Sequence, residues 1–169
     1  MTYTANYLMA QQDSLDGNIV CQMLQVNKED EILVYQVRSV SSALQNLSHT
    51  KYDALILDLN LSGNNGLEDV KKFLHDYPSL PIVILAGNDD QKLAVQCLHL
   101  GVQDYIYKNQ LNAELLNRIM RYAIERKQIH LQLKQALAES DRRNHQLTLL
   151  ARTDNLTGLP SRAYFFEVA

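Results

Sequence analysis

The feature that most constrains the fold is a short apolar run, Leu55, Ile56 and Leu57, that ends directly on Asp58. A run that is apolar at every position predicts a strand covered on both faces, which is typical of parallel sheets. In doubly wound sheets the functional residues gather at the carboxyl ends of such strands. The run therefore predicts a layered α/β fold and, in Asp58, a candidate functional carboxylate.

Strand-like runs and helical patterns alternate over the first two thirds of the chain. The predicted strands are 7–10, 31–37, 54–58, 82–85 and 104–107, and the predicted helices begin at Asp13 or Ser14, Ser41 or Ser42, Leu67 and Asp89. The first helix is expected to bury Ile19, Val20, Met23 and Leu24, and Gly101 is expected to end the fourth. Five such strand–helix units predict a five-stranded parallel sheet with helices on both faces.

A helical pattern of about 40 residues then begins at Asn112, much longer than the helices of ordinary domains. A heptad register places eleven residues on one seam, of which seven are apolar. These are Leu116, Ile119, Ala123, Arg126, His130, Leu133, Leu137, Ser140, Asn144, Leu147 and Ala151. The seam predicts a homodimer through a C-terminal coiled coil. The alternative is a single helix that packs on its own domain over its first turns and is otherwise solvated.

Composition and charge bear on which partners and which location to expect. The net charge of −3 gives no reason to expect a nucleic-acid or membrane partner. The N-terminus has neither the basic start nor the apolar segment of a signal peptide, and no apolar run approaches the ~20 residues of a membrane span. The two cysteines, Cys21 and Cys97, fit no metal spacing and are expected to be buried free thiols. We therefore expect a cytoplasmic protein.

Three stretches resemble the receiver domain of bacterial two-component response regulators over about residues 5–127. They are ALILDLNL with Gly66 eight residues after Asp58, PIVILAG, and LHLGVQDYIYK. The resemblance implies a flavodoxin-like doubly wound sheet of strand order 2-1-3-4-5. It also implies that Asp58 is the phosphoacceptor, that Lys108 is the lysine that pairs with it, and that Tyr105 is the switch aromatic.

The chain departs from this family where the phosphoryl chemistry would occur. The two acids that hold Mg²⁺ in the family are replaced by Gln11 and Gln12, and the Thr or Ser that ends strand four is replaced by Ala86. An amide oxygen is a weaker Mg²⁺ ligand than a carboxylate, and Asp13 comes one residue too late to substitute. We therefore expect a degenerate receiver with no bound cofactor. The alternative is a working receiver phosphorylated on Asp58 by a histidine kinase.

The final stretch, ARTDNLTGLPSRAYFFEVA, resembles the start of a GGDEF domain, the diguanylate cyclase module. The matching residues are Asp154, Leu156, Thr157, Gly158, Leu159, Arg162 and Phe165. The resulting division is a receiver domain at 1–127, a signalling helix or coiled-coil linker at 128–151, and the beginning of a GGDEF domain at 152–169. This chain would then be the non-enzymatic regulatory module of a diguanylate cyclase in cyclic di-GMP signalling, acting by dimerisation or by binding a partner protein. A stand-alone adaptor is a third possibility.

Overall fold

A computed structural model describes residues 4–26 and 30–152 of the chain. The strands are β1 (Thr4–Ala10), β2 (Glu31–Val37), β3 (Ala54–Asp58), β4 (Ile82–Ala86) and β5 (Asp104–Tyr107). The helices are α1 (Ser14–Leu24), α2 (Val40–His49), α3 (Gly66–Asp76), α4 (Gln91–Leu100) and α5 (Ala113–Arg152), with short 3-10 helices at Leu59–Asn65 and Lys108–Gln110. The residues that resemble a GGDEF domain, from Asp154 onward, lie outside the described part of the chain.

The five strands form one parallel sheet in the order β2-β1-β3-β4-β5. This order confirms the predicted flavodoxin-like doubly wound fold. Helices α2, α3 and α4 pack on one face of the sheet around Phe73, and α1 and α5 pack on the other around Tyr7. Every residue of β3 and β4 is buried. Because the two strands are parallel neighbours, their carboxyl ends lie side by side at one edge of the sheet.

Helix and strand ends show where local chemistry differs from the sequence pattern. The first strand begins at Thr4, three residues earlier than predicted. Helix α2 is capped by Ser39, whose hydroxyl accepts a hydrogen bond from the Ser42 backbone N–H at 3.1 Å. Gly101 ends α4 in the left-handed conformation, with φ of 113°, as predicted.

Gly66 is required by a close backbone approach. Its φ of −52° is helical and open to any residue. A Cβ atom built on it, however, would lie 2.6 Å from the Leu59 carbonyl oxygen. The missing side chain therefore lets α3 begin directly against the 3-10 helix that follows Asp58.

Two predictions about buried residues on α1 need correction. Val20 and Leu24 are buried as predicted, but Ile19 is 49% exposed. Cys97 is a buried free thiol, whereas Cys21 is only partly buried. The face of α1 that meets the sheet is thus narrower than its apolar pattern suggested.

The long C-terminal pattern forms one continuous 40-residue helix, α5. The chain divides into two compact units, Met1–Gln128 and a second that begins at Ile129. In the first unit, Leu116, Met120 and Ala123 are buried in the core. The first positions of the predicted seam are therefore covered by the receiver's own sheet and do not face a second chain.

The second unit contains the exposed part of α5. Among the side chains described there, at residues 129–147, four large apolar ones are 57–63% exposed: Ile129, Leu133, Leu137 and Leu147. On a helix of 3.6 residues per turn they fall within about 80° of one another. Across residues 4–26 and 30–152, no helix is long and apolar enough to span a bilayer.

Candidate functional site

Asp58 lies at the carboxyl end of β3 and is paired with the lysine that directly follows β5. It is 4% exposed, and its Oδ2 accepts a hydrogen bond from Lys108 Nζ at 2.7 Å. The side chain of Lys108, which directly follows β5, is 31% exposed. The parallel order places β4 between the two strands, so the pair bridges across the end of β4.

The second oxygen of the Asp58 carboxylate is engaged locally. Oδ1 accepts a hydrogen bond from the backbone N–H of Asn60 at 3.0 Å, which caps the 3-10 helix that begins at Leu59. Asp58 therefore combines a capping role with a charge-paired role. Charge-assisted hydrogen bonds of this kind are roughly twice as strong as neutral ones.

The residues that follow β1 occupy two different environments. Gln11 is 5% exposed, and its backbone N–H donates to the Val37 carbonyl at 3.0 Å. Neither polar atom of its side-chain amide has a hydrogen-bond partner among the described residues. Gln12 and Asp13, in contrast, are exposed. Of these three residues, Gln11 is therefore the one buried beside the Asp58 site, and the hydrogen-bonding groups of its side-chain amide are unsatisfied.

The residues around Asp58 fit Mg²⁺ poorly. This ion prefers carboxylate oxygens and water in near-octahedral geometry, and here the Oδ2 of Asp58 already contacts the Lys108 ammonium. The side chain at Gln11 can offer only a neutral oxygen. Within the described part of the chain, no group of three or more His, Cys, Asp and Glu side chains is arranged to hold a metal ion.

Ala86 and Tyr105 lie on the two strands beside this site. Ala86 is the last residue of β4, is fully buried, and is in register with Tyr107 of β5. Tyr105 is partly buried, and its ring meets that of Tyr107 edge to face, with centroids 5.2 Å apart. Burial, followed by the nearby Tyr105 phenol, raises the pKa of Tyr107 above its ordinary value. The roles of Ala86 and Tyr105 in signalling stay predictions.

The site includes three residues that sequence reasoning did not single out. Asp90 Oδ2 accepts hydrogen bonds from the Gly87 backbone N–H at 2.8 Å and from the Asn60 amide at 3.1 Å. Asn60 thus links Asp58 to the loop between β4 and α4. The position of Asn60, two residues after a strand-end aspartate, is the one sequence signal that could have indicated this link.

The family model for the response regulator receiver domain matches residues 11–120. The chain therefore belongs to the response regulator receiver domain family. Such domains are the regulatory receivers of two-component signalling and are not enzymes.

Known relatives support this assignment. The chain is 33% identical over 110 residues to the transcriptional regulatory protein KdpE of Mycobacterium tuberculosis, a match covering 63% of this chain and 48% of KdpE. It is 29% identical over 79 residues to a cyclic di-GMP phosphodiesterase of Thermotoga maritima, covering 47% of this chain and 21% of that protein. The solved receiver domain of NtrX from Brucella abortus superposes with a TM-score of 0.63 at 23% identity, covering 70% of this chain and 98% of that one. The chain spans about half or less of the length of the curated relatives it matches.

Proposed function

We propose that this receiver is a regulatory module in which Asp58 stays unphosphorylated and its charge is balanced by Lys108, without a bound Mg²⁺. The observation that carries the proposal is the 2.7 Å contact between Lys108 Nζ and Asp58 Oδ2, beside a buried neutral Gln11. The module would act through dimerisation or a partner protein, in a cytoplasmic signalling protein with cyclic di-GMP output. Neither nucleic acid nor a membrane is part of this proposal.

The charge balance around Asp58 supports this proposal. Transfer of a phosphoryl group to a carboxylate brings negative charge onto a group that is already negative, and a divalent cation normally relieves that repulsion. Carboxylate oxygens hold such a cation, whereas the neutral amides of Gln11 and Gln12 are poor substitutes. With Ala86 at the end of β4, a hydroxyl donor for the phosphoryl group is missing as well.

Acetyl-phosphate labelling tests the proposal. We expect the full chain to show little Mg²⁺-dependent labelling, measured by intact-mass spectrometry. The double variant Gln11→Asp/Gln12→Asp should label at least tenfold more, because two carboxylates restore oxygen ligands for Mg²⁺. Strong Mg²⁺-dependent labelling of the wild type that disappears in Asp58→Asn would overturn the proposal and favour the alternative, a receiver phosphorylated on Asp58 by a histidine kinase.

Two observations support a cyclic di-GMP output. The residues from Asp154 to Phe165 resemble the start of a GGDEF domain, and one relative is a cyclic di-GMP phosphodiesterase. In this proposal the chain regulates a diguanylate cyclase domain that follows it. A GG[DE]EF-type motif about a hundred residues downstream in the gene would support this output, and a reading frame that ends without one would favour the stand-alone adaptor.

The exposed apolar side chains of α5 support a homodimer. Ile129, Leu133, Leu137 and Leu147 are each more than half exposed, yet they share one side of the helix. A second copy of the same helix, in register, would cover them as a coiled coil does. The buried start of the helix shortens the predicted seam to these exposed positions.

We expect Leu133→Asp/Leu137→Asp to shift the full chain toward the monomer mass in light scattering. Each substitution would place a charge in a dry helical interface, at a cost of several kcal/mol per uncompensated charge. Gln135→Asp, on the opposite side of α5, is the matched control and should leave the mass unchanged. A chain ending near Lys127 should likewise be more monomeric, and the same number of subunits for all four proteins would remove the coiled-coil proposal.

A further inference from the structure

We propose that the Asp90 carboxylate is a built-in anion that ties the loop between β4 and α4 to the Asp58 site. Through these hydrogen bonds, a change in the contacts of the Asp58 carboxylate would alter how readily α4 opens, and no phosphoryl group would be needed. The inference rests on the proposed function in one respect, since it names the element through which such a site would act.

A short series of hydrogen bonds connects Asp58 to α4. The Asn60 backbone N–H donates to Asp58 Oδ1 at 3.0 Å, and the Asn60 side-chain amide donates to Asp90 Oδ2 at 3.1 Å. The same oxygen of Asp90 accepts from the Gly87 N–H at 2.8 Å. One carboxylate oxygen therefore holds the start of the β4–α4 loop and the residue that contacts Asp58.

The orientation of Asp90 is unusual for its position. Asp90 immediately precedes α4, where an aspartate side chain ordinarily accepts a hydrogen bond from the second or third N–H of the helix. Here the side chain makes no such capping bond and turns back to Gly87 and Asn60. Helix α4 therefore lacks the capping hydrogen bond that usually stabilises a first turn. The loop between β4 and α4 has a charged hydrogen-bond acceptor instead.

Gly87 is the residue that permits this contact. A Cβ atom built on Gly87 would lie 3.0 Å from Asp90 Oδ2 and 3.5 Å from Asn60 Nδ2. The first distance is tighter than ordinary van der Waals contact, so a side chain at this position would push the carboxylate away. The glycine and the aspartate therefore belong to one local arrangement.

Helix α4 buries little apolar surface, so its stability depends more on the hydrogen bonds of Asp90. Its buried residues are two small ones, Ala94 and Cys97, while Val95 and Leu98 are 40% and 37% exposed. Segments with few buried apolar contacts open locally at low free-energy cost. A charged hydrogen bond at the start of such a helix has a large influence on that opening.

Hydrogen exchange on the full chain tests the proposal. We expect Asp90→Ala to speed amide exchange across residues 94–98 by roughly tenfold or more, the change expected when a hydrogen bond to a charged group is lost. Asp89→Ala, an exposed neighbouring acid, is the matched control and should leave these amides unchanged. Amides in β3 and β4 are the internal reference for global stability.

Coupling to Asp58 is tested by a double-mutant cycle. Asp58→Ala removes the acceptor of the Asn60 N–H, so it should speed exchange across residues 94–98, relative to the reference amides, only when Asp90 is present. The same acceleration in wild-type and Asp90→Ala backgrounds would overturn the proposal, as would Asp90→Ala behaving like Asp89→Ala. Neither Mg²⁺ nor acetyl phosphate is added, so this result is separate from the outcome of the labelling experiment.

Discussion

Replacing Lys108 by Met is expected to lower the free energy of unfolding by about 2–3 kcal/mol. Removing one partner of a buried ion pair costs ~3–5 kcal/mol because the other charge is left uncompensated. The Asp58 side chain is 5% exposed, but that of Lys108 is 31% exposed, so water already screens part of the interaction and the cost is reduced. Urea denaturation monitored by circular dichroism measures the change.

The two partners should differ in this experiment. Asp58→Asn leaves behind the Lys108 ammonium, which can reach water, and should therefore cost less than Lys108→Met. Lys72→Met, at an exposed lysine on α3, is the control for loss of a positive charge and should have little effect. If Lys108→Met proved no more costly than Lys72→Met, the contact between Lys108 and Asp58 would contribute nothing to stability.

Gln11→Leu is expected to raise the free energy of unfolding by about 1–3 kcal/mol, the usual cost of a buried polar group without a partner. Both polar atoms of the Gln11 amide lack partners within the described part of the chain. Gln11 also lines a cavity of about 140 Å³ whose other walls are largely apolar, among them Val20, Leu85 and Leu111. A leucine of similar volume would bury apolar surface there without leaving an unpaired group.

The adjacent glutamine provides the matched control for this prediction. Gln12 is exposed, so Gln12→Leu should change the midpoint of urea denaturation very little. A lower midpoint for Gln11→Leu than for wild type would mean that the buried amide finds partners in solution, for example ordered water. If Gln11→Leu and Gln12→Leu changed the midpoint of urea denaturation equally, the burial of Gln11 would not be the cause of the change in stability.

The central strands β3 and β4 were predictable from sequence because burial on both faces leaves a strong signal. The edge strands β2 and β5 are only partly buried. The runs 31–37, 54–58 and 104–107 have the observed bounds, and the alternation of strands and helices was enough to predict the parallel sheet. Helix ends were less predictable, because their capping partners depend on a single side-chain torsion. Ser39, and neither Ser41 nor Ser42, caps α2, although all three residues are chemically suitable.

The candidate site was predictable only in part. The pairing of Asp58 with Lys108 was implied by the resemblance to receiver domains, and it agrees with their places at the carboxyl ends of two strands of one parallel sheet. The contacts of Asp90 depend on how a short loop folds back over Asn60, and no periodic pattern encodes such a contact. The burial of Ala123 on α5 agrees with the alternative in which the helix packs on its own domain over its first turns. The sequence could not decide between the two, because an apolar stripe looks the same whether it covers the chain's own core or a second copy.

The bridge from β3 to β5 also bears on the kinetics of folding. Its two partners are 50 residues apart in sequence, and β4 must already lie between them before they can meet. Contacts of such long range are expected to form after the transition state, so they act on the unfolding rate more than on the folding rate. The ion pair would then slow unfolding and prolong the lifetime of the native state. Lys108→Met would raise the unfolding arm of a chevron plot while leaving the refolding arm nearly in place.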